Sequence, residues 1–169
     1  MTNFDTNSGA VISECGKYRY RLWRIWDQNK PKVGFCMLNP STADASVDDP
    51  TIRRLIGFAK AWGYGGFYVV NLFALRSPKP VLLKTAADPI GPDNSKHISE
   101  VAGLVDVMVC AWGNHGHFVM ADKLAMACMH GLTSTQALHI NDDGSPKHPL
   151  YIKGDAKPIP FSMGDASCS

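Results

Sequence analysis

No run of this 169-residue chain approaches the roughly 20 apolar residues that a membrane-spanning helix requires. The first nine residues are polar and hold no apolar core of the kind a secretory signal needs. Charge of one sign is scarce: 17 Lys and Arg stand against 15 Asp and Glu, a net of +2. That surplus is too small to argue for nucleic acid by itself, so any basic patch has to be local. Five cysteines (Cys15, Cys36, Cys110, Cys128 and Cys168) are odd in number, widely spaced and never in Cys-x-x-Cys pairs. This excludes an obvious disulfide framework and points to a reducing, cytoplasmic setting. Gly-x-Ser-x-Gly, Ser-x-x-Lys, a Walker loop and Gly-x-Gly-x-x-Gly are all missing. His115 and His117 fall at the start of an expected helix, where two imidazoles diverge, so neither a metal nor another cofactor is expected.

What is present is enough for one domain with a full core. Residues 10–152 are expected to form it, with 1–9 and 153–169 as loose or surface tails. Tyr18 to Leu22 alternates aromatic or apolar side chains with Arg19 and Arg21, as in a strand with one packed and one solvated face, after a turn at Cys15-Gly16. Val33 to Leu38 is apolar except for Gly34 and reads as a strand buried on both faces. Asp49-Pro50 then opens a helix, with Asp49 as cap and Pro50 at the first position, and Gly63 and Gly65-Gly66 close it. Phe67–Asn71 is a second buried strand, a short helix follows around 81–86, and Asn94 is placed to cap a helix to about Val105. A third strand spans 107–111, a helix runs from about His117 to His130, and a fourth strand spans Ala137–Ile140. Strands alternating with helices predict an α/β fold: a three-layer sandwich with a central, mostly parallel four-stranded sheet plus an N-terminal β-hairpin.

Each expected parallel strand is followed by a distinctive polar or aromatic group: Asn39-Pro40-Ser41, Asn71, Trp112-Gly113-Asn114, and the His148-Pro149-Leu150 loop. Singly, each has an ordinary explanation. Asparagine before proline is a common turn former, Asn71 ends a strand, Trp112 suits a core and His148 suits a loop. Jointly they recur at the carboxyl ends of the strands, where open α/β sheets bind ligands. Carboxamides, one histidine and an aromatic wall suit a planar polar heterocycle, because a carboxamide donates and accepts at once, as a nucleobase edge requires. Ser41 has no base close to it in sequence, although the fold can bring His148 near. Arg19, Arg21 and Arg24 make the opening strand the most basic segment, read either as a solvated face or as a phosphate-contacting edge.

The blocks Leu38–Asp44, Asp49–Arg54, Val70–Ala74, Asp88–Asn94, Ala111–Gly113 and His148–Tyr151, in that order, resemble the bacterial and phage domain-of-unknown-function family 1643 over about residues 15–152. That resemblance supplies a family and no activity. The same series is more distantly similar to the motif order of the uracil-DNA glycosylase superfamily. This second resemblance implies Asn39 as the residue that holds the hydrolytic water and Asn71 as the reader of the base edge. Pro40, Ser41, Phe73 and Trp112 are expected to line the base pocket. His148 would stabilise the departing base and Leu150 would enter the duplex. Arg19, Arg21, Arg53, Arg54 and Asn114 are expected phosphate contacts. Met37 stands where that pattern has glycine, and Leu150 where it has serine. The expected ligand is nucleic acid, with DNA favoured. The expected activity is N-glycosidic hydrolysis of a modified base. A non-catalytic reader of modified nucleic acid and an enzyme acting on a free nucleotide or small metabolite are the alternatives.

Overall fold

A computed structural model describes residues 8–41 and 43–164. Its strands are β1 (Ser8–Ile12), β2 (Arg19–Ile25), β3 (Val33–Met37), β4 (Gly66–Asn71), β5 (Val107–Cys110), β6 (Ser134–Ala137) and β7 (Ile159–Pro160). Among the described residues they form one seven-stranded mixed sheet in the order β1-β2-β4-β3-β5-β6-β7. The central four strands, β4-β3-β5-β6, are parallel, and β1, β2 and β7 run antiparallel to their neighbours. The N-terminal hairpin therefore extends the sheet.

Three helices, α1 (Pro50–Ala61), α2 (Asn94–Leu104) and α3 (Ala121–Met129), connect the parallel strands. Successive strand residues point to opposite faces, and the core divides accordingly. Val33, Phe35, Met37, Phe67, Val69 and Val109 pack with Ile52, Leu55, Phe58 and Ala59 of α1. Cys36, Val70, Met108 and Cys110 pack with Ile98, Val101 and Ala102 of α2 and with Ala121, Ala125 and Met129 of α3. Both β3 and β4 are buried almost throughout, as expected for strands covered on two faces. The chain passes from β3 to β4 on one side and then crosses to β5 on the other. The carboxyl end of β3 is therefore the point where the strand order reverses, which in open sheets opens a crevice.

α1 forms as its sequence dictates. Asp49 Oδ1 accepts the Ile52 N–H at 2.8 Å, Pro50 sits in the first turn, and Gly63 follows the C-cap at φ +84°, a conformation that favours glycine. Elsewhere the structure departs from expectation. α3 begins only at Ala121, preceded by two short 3₁₀ turns, because Val119 and Met120 adopt left-handed φ of +49° and +58°. The fourth strand lies at Ser134–Ala137, earlier than its apolar signal. Its polar residues are tied by strand pairing, and Thr135 Oγ1 donates to Phe161 O at 2.7 Å. Residues 153–164 are also more than a surface tail. They supply β7 and bury Phe161, while Trp62 Nε1 donates to Ala156 O at 2.9 Å. Residues 1–7 of the expected N-terminal tail and 165–169 of the C-terminal one lie outside the described residues, whereas Ser8 and Gly9 already belong to β1.

β2 has no freely solvated face. Arg19 is 3 % exposed and Arg24 is 7 % exposed. Arg24 clamps the loop that leads into α1: Nε meets Asp48 Oδ1 at 2.8 Å and Nη2 donates to Asp44 O at 2.7 Å. Asp44 in turn accepts the Ser46 and Val47 N–H groups, which hold its carboxyl below the usual range. No described helix is long and apolar enough to cross a membrane.

Candidate functional site

A cavity of about 510 Å³ opens at the carboxyl ends of the parallel strands, a volume within the range of small-ligand sites. Asn39 after β3, Asn71 at the end of β4, and Trp112 and Asn114 after β5 all line it. His148, from a loop that follows β6, lines it too, together with Ser41, Arg19 and Leu150. Residues 131 positions apart (19 to 150) thus meet at the place where the strand order reverses.

Asn71 is 1 % exposed, and neither its amide nitrogen nor its carbonyl oxygen has a hydrogen-bond partner among the described residues. A buried carboxamide left unpaired costs about 1–3 kcal/mol, so this one asks for a functional explanation. Its backbone is held firmly. The buried Asn94 donates through Nδ2 to Asn71 O at 2.8 Å and to Leu72 O at 3.2 Å. Asn94 is therefore not the cap of α2. Asp93 occupies the cap position without a side-chain bond, and Asn94 ties α2 to the strand end that carries Asn71.

Asn39 is fixed from the other direction. Its amide nitrogen donates to Ser77 O at 2.7 Å and to Pro40 O at 3.1 Å. Those bonds identify the nitrogen end and leave the carbonyl oxygen as an acceptor. His148 Nδ1 accepts the Leu150 N–H at 3.3 Å. In the neutral ring the proton therefore sits on Nε2, which becomes a donor. Burial lowers the His148 pKa, and nearby Asp49 opposes the shift, so the ring is neutral at neutral pH.

Two buried charges complete the cavity. Arg19 donates through Nη1 to Ala43 O, and its Nε has no described partner. Burial pushes its pKa down to about 10, against the opposing field of Asp49. Asp49 is 8 % exposed, caps α1 with one oxygen and accepts the Ser41 hydroxyl with the other. The sequence shows Asp49 as a helix cap, and its second role is missed because the α1 start and the cavity wall coincide only in the fold. Ser77, Lys147 and Asn141 also reach the cavity from loops that carry no motif.

Other expected site residues lie elsewhere. Phe73 is fully buried, tilted against Phe118 at 6.1 Å, and lines a neighbouring cavity instead. Pro40 is buried beneath the turn and is not among the cavity's lining residues. Arg21 turns to α2 and pairs with Glu100 at 3.4 Å. Arg53 is exposed and donates to Asp48 O at 3.0 Å. Arg54 lies over the Phe58 ring at 5.0 Å and donates to Pro149 O at 3.3 Å, bracing the His148 loop from behind. Trp112 is 3 % exposed, with its edge against Phe161. Gly116 lies so close to the indole that a Cβ there would stand 2.5 Å from it. Leu150, 44 % exposed, and Tyr151, 74 % exposed, project from the rim. His117 is paired with Asp122 at 3.7 Å, and no cluster of three metal-ligating side chains occurs among the described residues.

Comparison with curated proteins and with solved structures returned no match. Residues 19–150 match the family model described as "Protein of unknown function (DUF1643)", and the chain belongs to that family.

Proposed function

We propose that this family member recognises a nucleobase in the cavity at its strand ends and hydrolyses the N-glycosidic bond of a modified base in DNA. The observation that carries the reading is the Asn71 carboxamide, buried in the cavity wall with both its donor and its acceptor unpaired. A nucleobase edge offers an acceptor and a donor side by side and would satisfy both atoms. Asn39, its nitrogen held by Ser77, offers an oxygen that can orient a water. In the proposed step that water attacks C1′ and the C1′–N bond breaks with its electron pair leaving on the base. The water's proton ends on the released base. His148 Nε2–H donates to the base oxygen as negative charge develops, a contribution of about 3 kcal/mol by comparison with oxyanion donors. The exposed Leu150 and Tyr151 at the rim suit contact with the strand around the extruded nucleotide. The order Asn39-Pro40, Asn71, Trp112-Gly113 and His148-Pro149, which resembles the motif order of the uracil-DNA glycosylase superfamily, fits this reading.

One observation favours a second reading. Arg19 is buried in the cavity wall, where a small phosphorylated ligand reaches it more easily than a duplex backbone does. An enzyme acting on a free nucleotide would use it. Incubation with oligonucleotides carrying uracil, hydroxymethyluracil or hypoxanthine, followed by alkaline cleavage, separates the two. Abasic product that disappears in Asn39→Ala and His148→Ala is the expected result. Binding without product would leave a reader of modified bases. No affinity for any oligonucleotide, with a nucleotide-induced rise in Tm, would select the free nucleotide.

A further inference from the structure

A second cavity, of about 430 Å³, adjoins the first, and Pro80 and His115 line both. Its other walls are Phe73, Lys79, Val81, Leu83, Lys84 and Phe118. Phe73 and Leu83 are buried, Phe118 is half-buried, and Lys79 and Lys84 are exposed. The lining is thus apolar and aromatic with two lysines and no acid. The chain after Phe118 is held in an unusual shape. Val119 and Met120 both have left-handed backbones, at a cost of about 1–3 kcal/mol each. Neither Val119 nor Met120 lines the first cavity; the turn directly follows Phe118, which packs against Phe73.

An aromatic face beside cations, continuous with a pocket that reads a base, is the combination by which single-stranded nucleic acid is held: bases stack and lysines meet phosphates. The geometry points to this second cavity as the site of the nucleotide adjacent to the one being read. Its base lies against Phe118 and its phosphate lies at Lys79 and Lys84. A base in such a recess is unpaired, so the ligand is a single-stranded stretch of at least two nucleotides. This inference rests on the nucleobase reading of the first cavity.

Calorimetric titration with deoxynucleosides, the matching dinucleotides and a duplex containing the same step tests it. The dinucleotide is expected to bind about ten-fold more tightly than its nucleoside, and the duplex more weakly than the single strand. Phe118→Leu, which keeps an apolar filler, and the surface double variant Lys79→Ala/Lys84→Ala are each expected to remove most of that increment. Neither should change nucleoside affinity. Equal affinity for nucleoside and dinucleotide, or an increment that survives both variants, overturns the inference while leaving the first cavity's reading intact. No binding of any nucleoside or dinucleotide defeats both. An acidic peptide that binds through Lys79 and Lys84, with no preference for the dinucleotide, overturns the inference in favour of a protein partner.

Discussion

At the scale of single residues, Asn71 separates stability from function. A buried carboxamide with satisfied partners loses stability when truncated, because its partners are orphaned. Asn71 has no described side-chain partners to orphan. Asn71→Ala is therefore expected to leave Tm within a few degrees of the parent, or to raise it, while base affinity falls at least ten-fold. Differential scanning fluorimetry and titration on the same preparation check both halves. A large loss of Tm would show that the carboxamide is structural. Arg19 illustrates how local sequence misleads at this scale. An arginine alternating with aromatics reads as a solvated strand face, yet its guanidinium is buried beside the Asp49 that caps a helix 30 positions later (19 to 49).

At the scale of elements, the strand ends are precise because other elements brace them. The Asn94 amide spans from α2 to two carbonyls at the end of β4. Asn94→Ala leaves those carbonyls without their side-chain donor, so a loss of about 1–3 kcal/mol in chemical denaturation is expected, together with weaker base binding, since Asn71 loses its fixed seat. Binding unchanged at the lower stability would show that the brace serves the fold alone. The start of α1 was legible from Asp49-Pro50 because capping is local chemistry. The placement of β6 was not, because Ser134, Thr135 and Gln136 carry no apolar alternation. That strand is specified by its neighbours β5 and β7, which no local window contains.

At the scale of the whole molecule, two half-buried histidines couple folding to pH. Burial lowers the pKa of His148, against Asp49, and that of His97, which also faces Arg21 and stacks on Tyr20 at 4.8 Å. Both folded values lie below the unfolded value of about 6.5, so the unfolded chain binds more protons in the window between them. Stability is then full above about pH 6.5 and falls as the pH drops through the folded values. Tm measured from neutral pH downward should decline over that window, and His97→Gln should flatten the decline. A Tm independent of pH there would contradict the buried, neutral state of both rings.

The sequence by itself determined what short-range physics controls. Apolar runs of strand length, the Asp-Pro helix start and the glycine stop set an α/β chain and three of its four parallel strands. The recurrence of Asn39, Asn71, Trp112 and His148 near strand ends marked one rim, since parallel strands bring their carboxyl ends together. Only the tertiary structure decided which of these side chains share a cavity and which are masonry. Phe73 and Pro40 sit one or two positions from cavity residues, yet past the strand ends Phe73 packs on Phe118 and lines the neighbouring cavity, and Pro40 is buried away from the lining. Ser77, Asn141 and Lys147 have no motif, yet the loops fold them inward. Whether a polar group is paired or left open depends on contacts between distant segments, and Asn71 acquired its significance there.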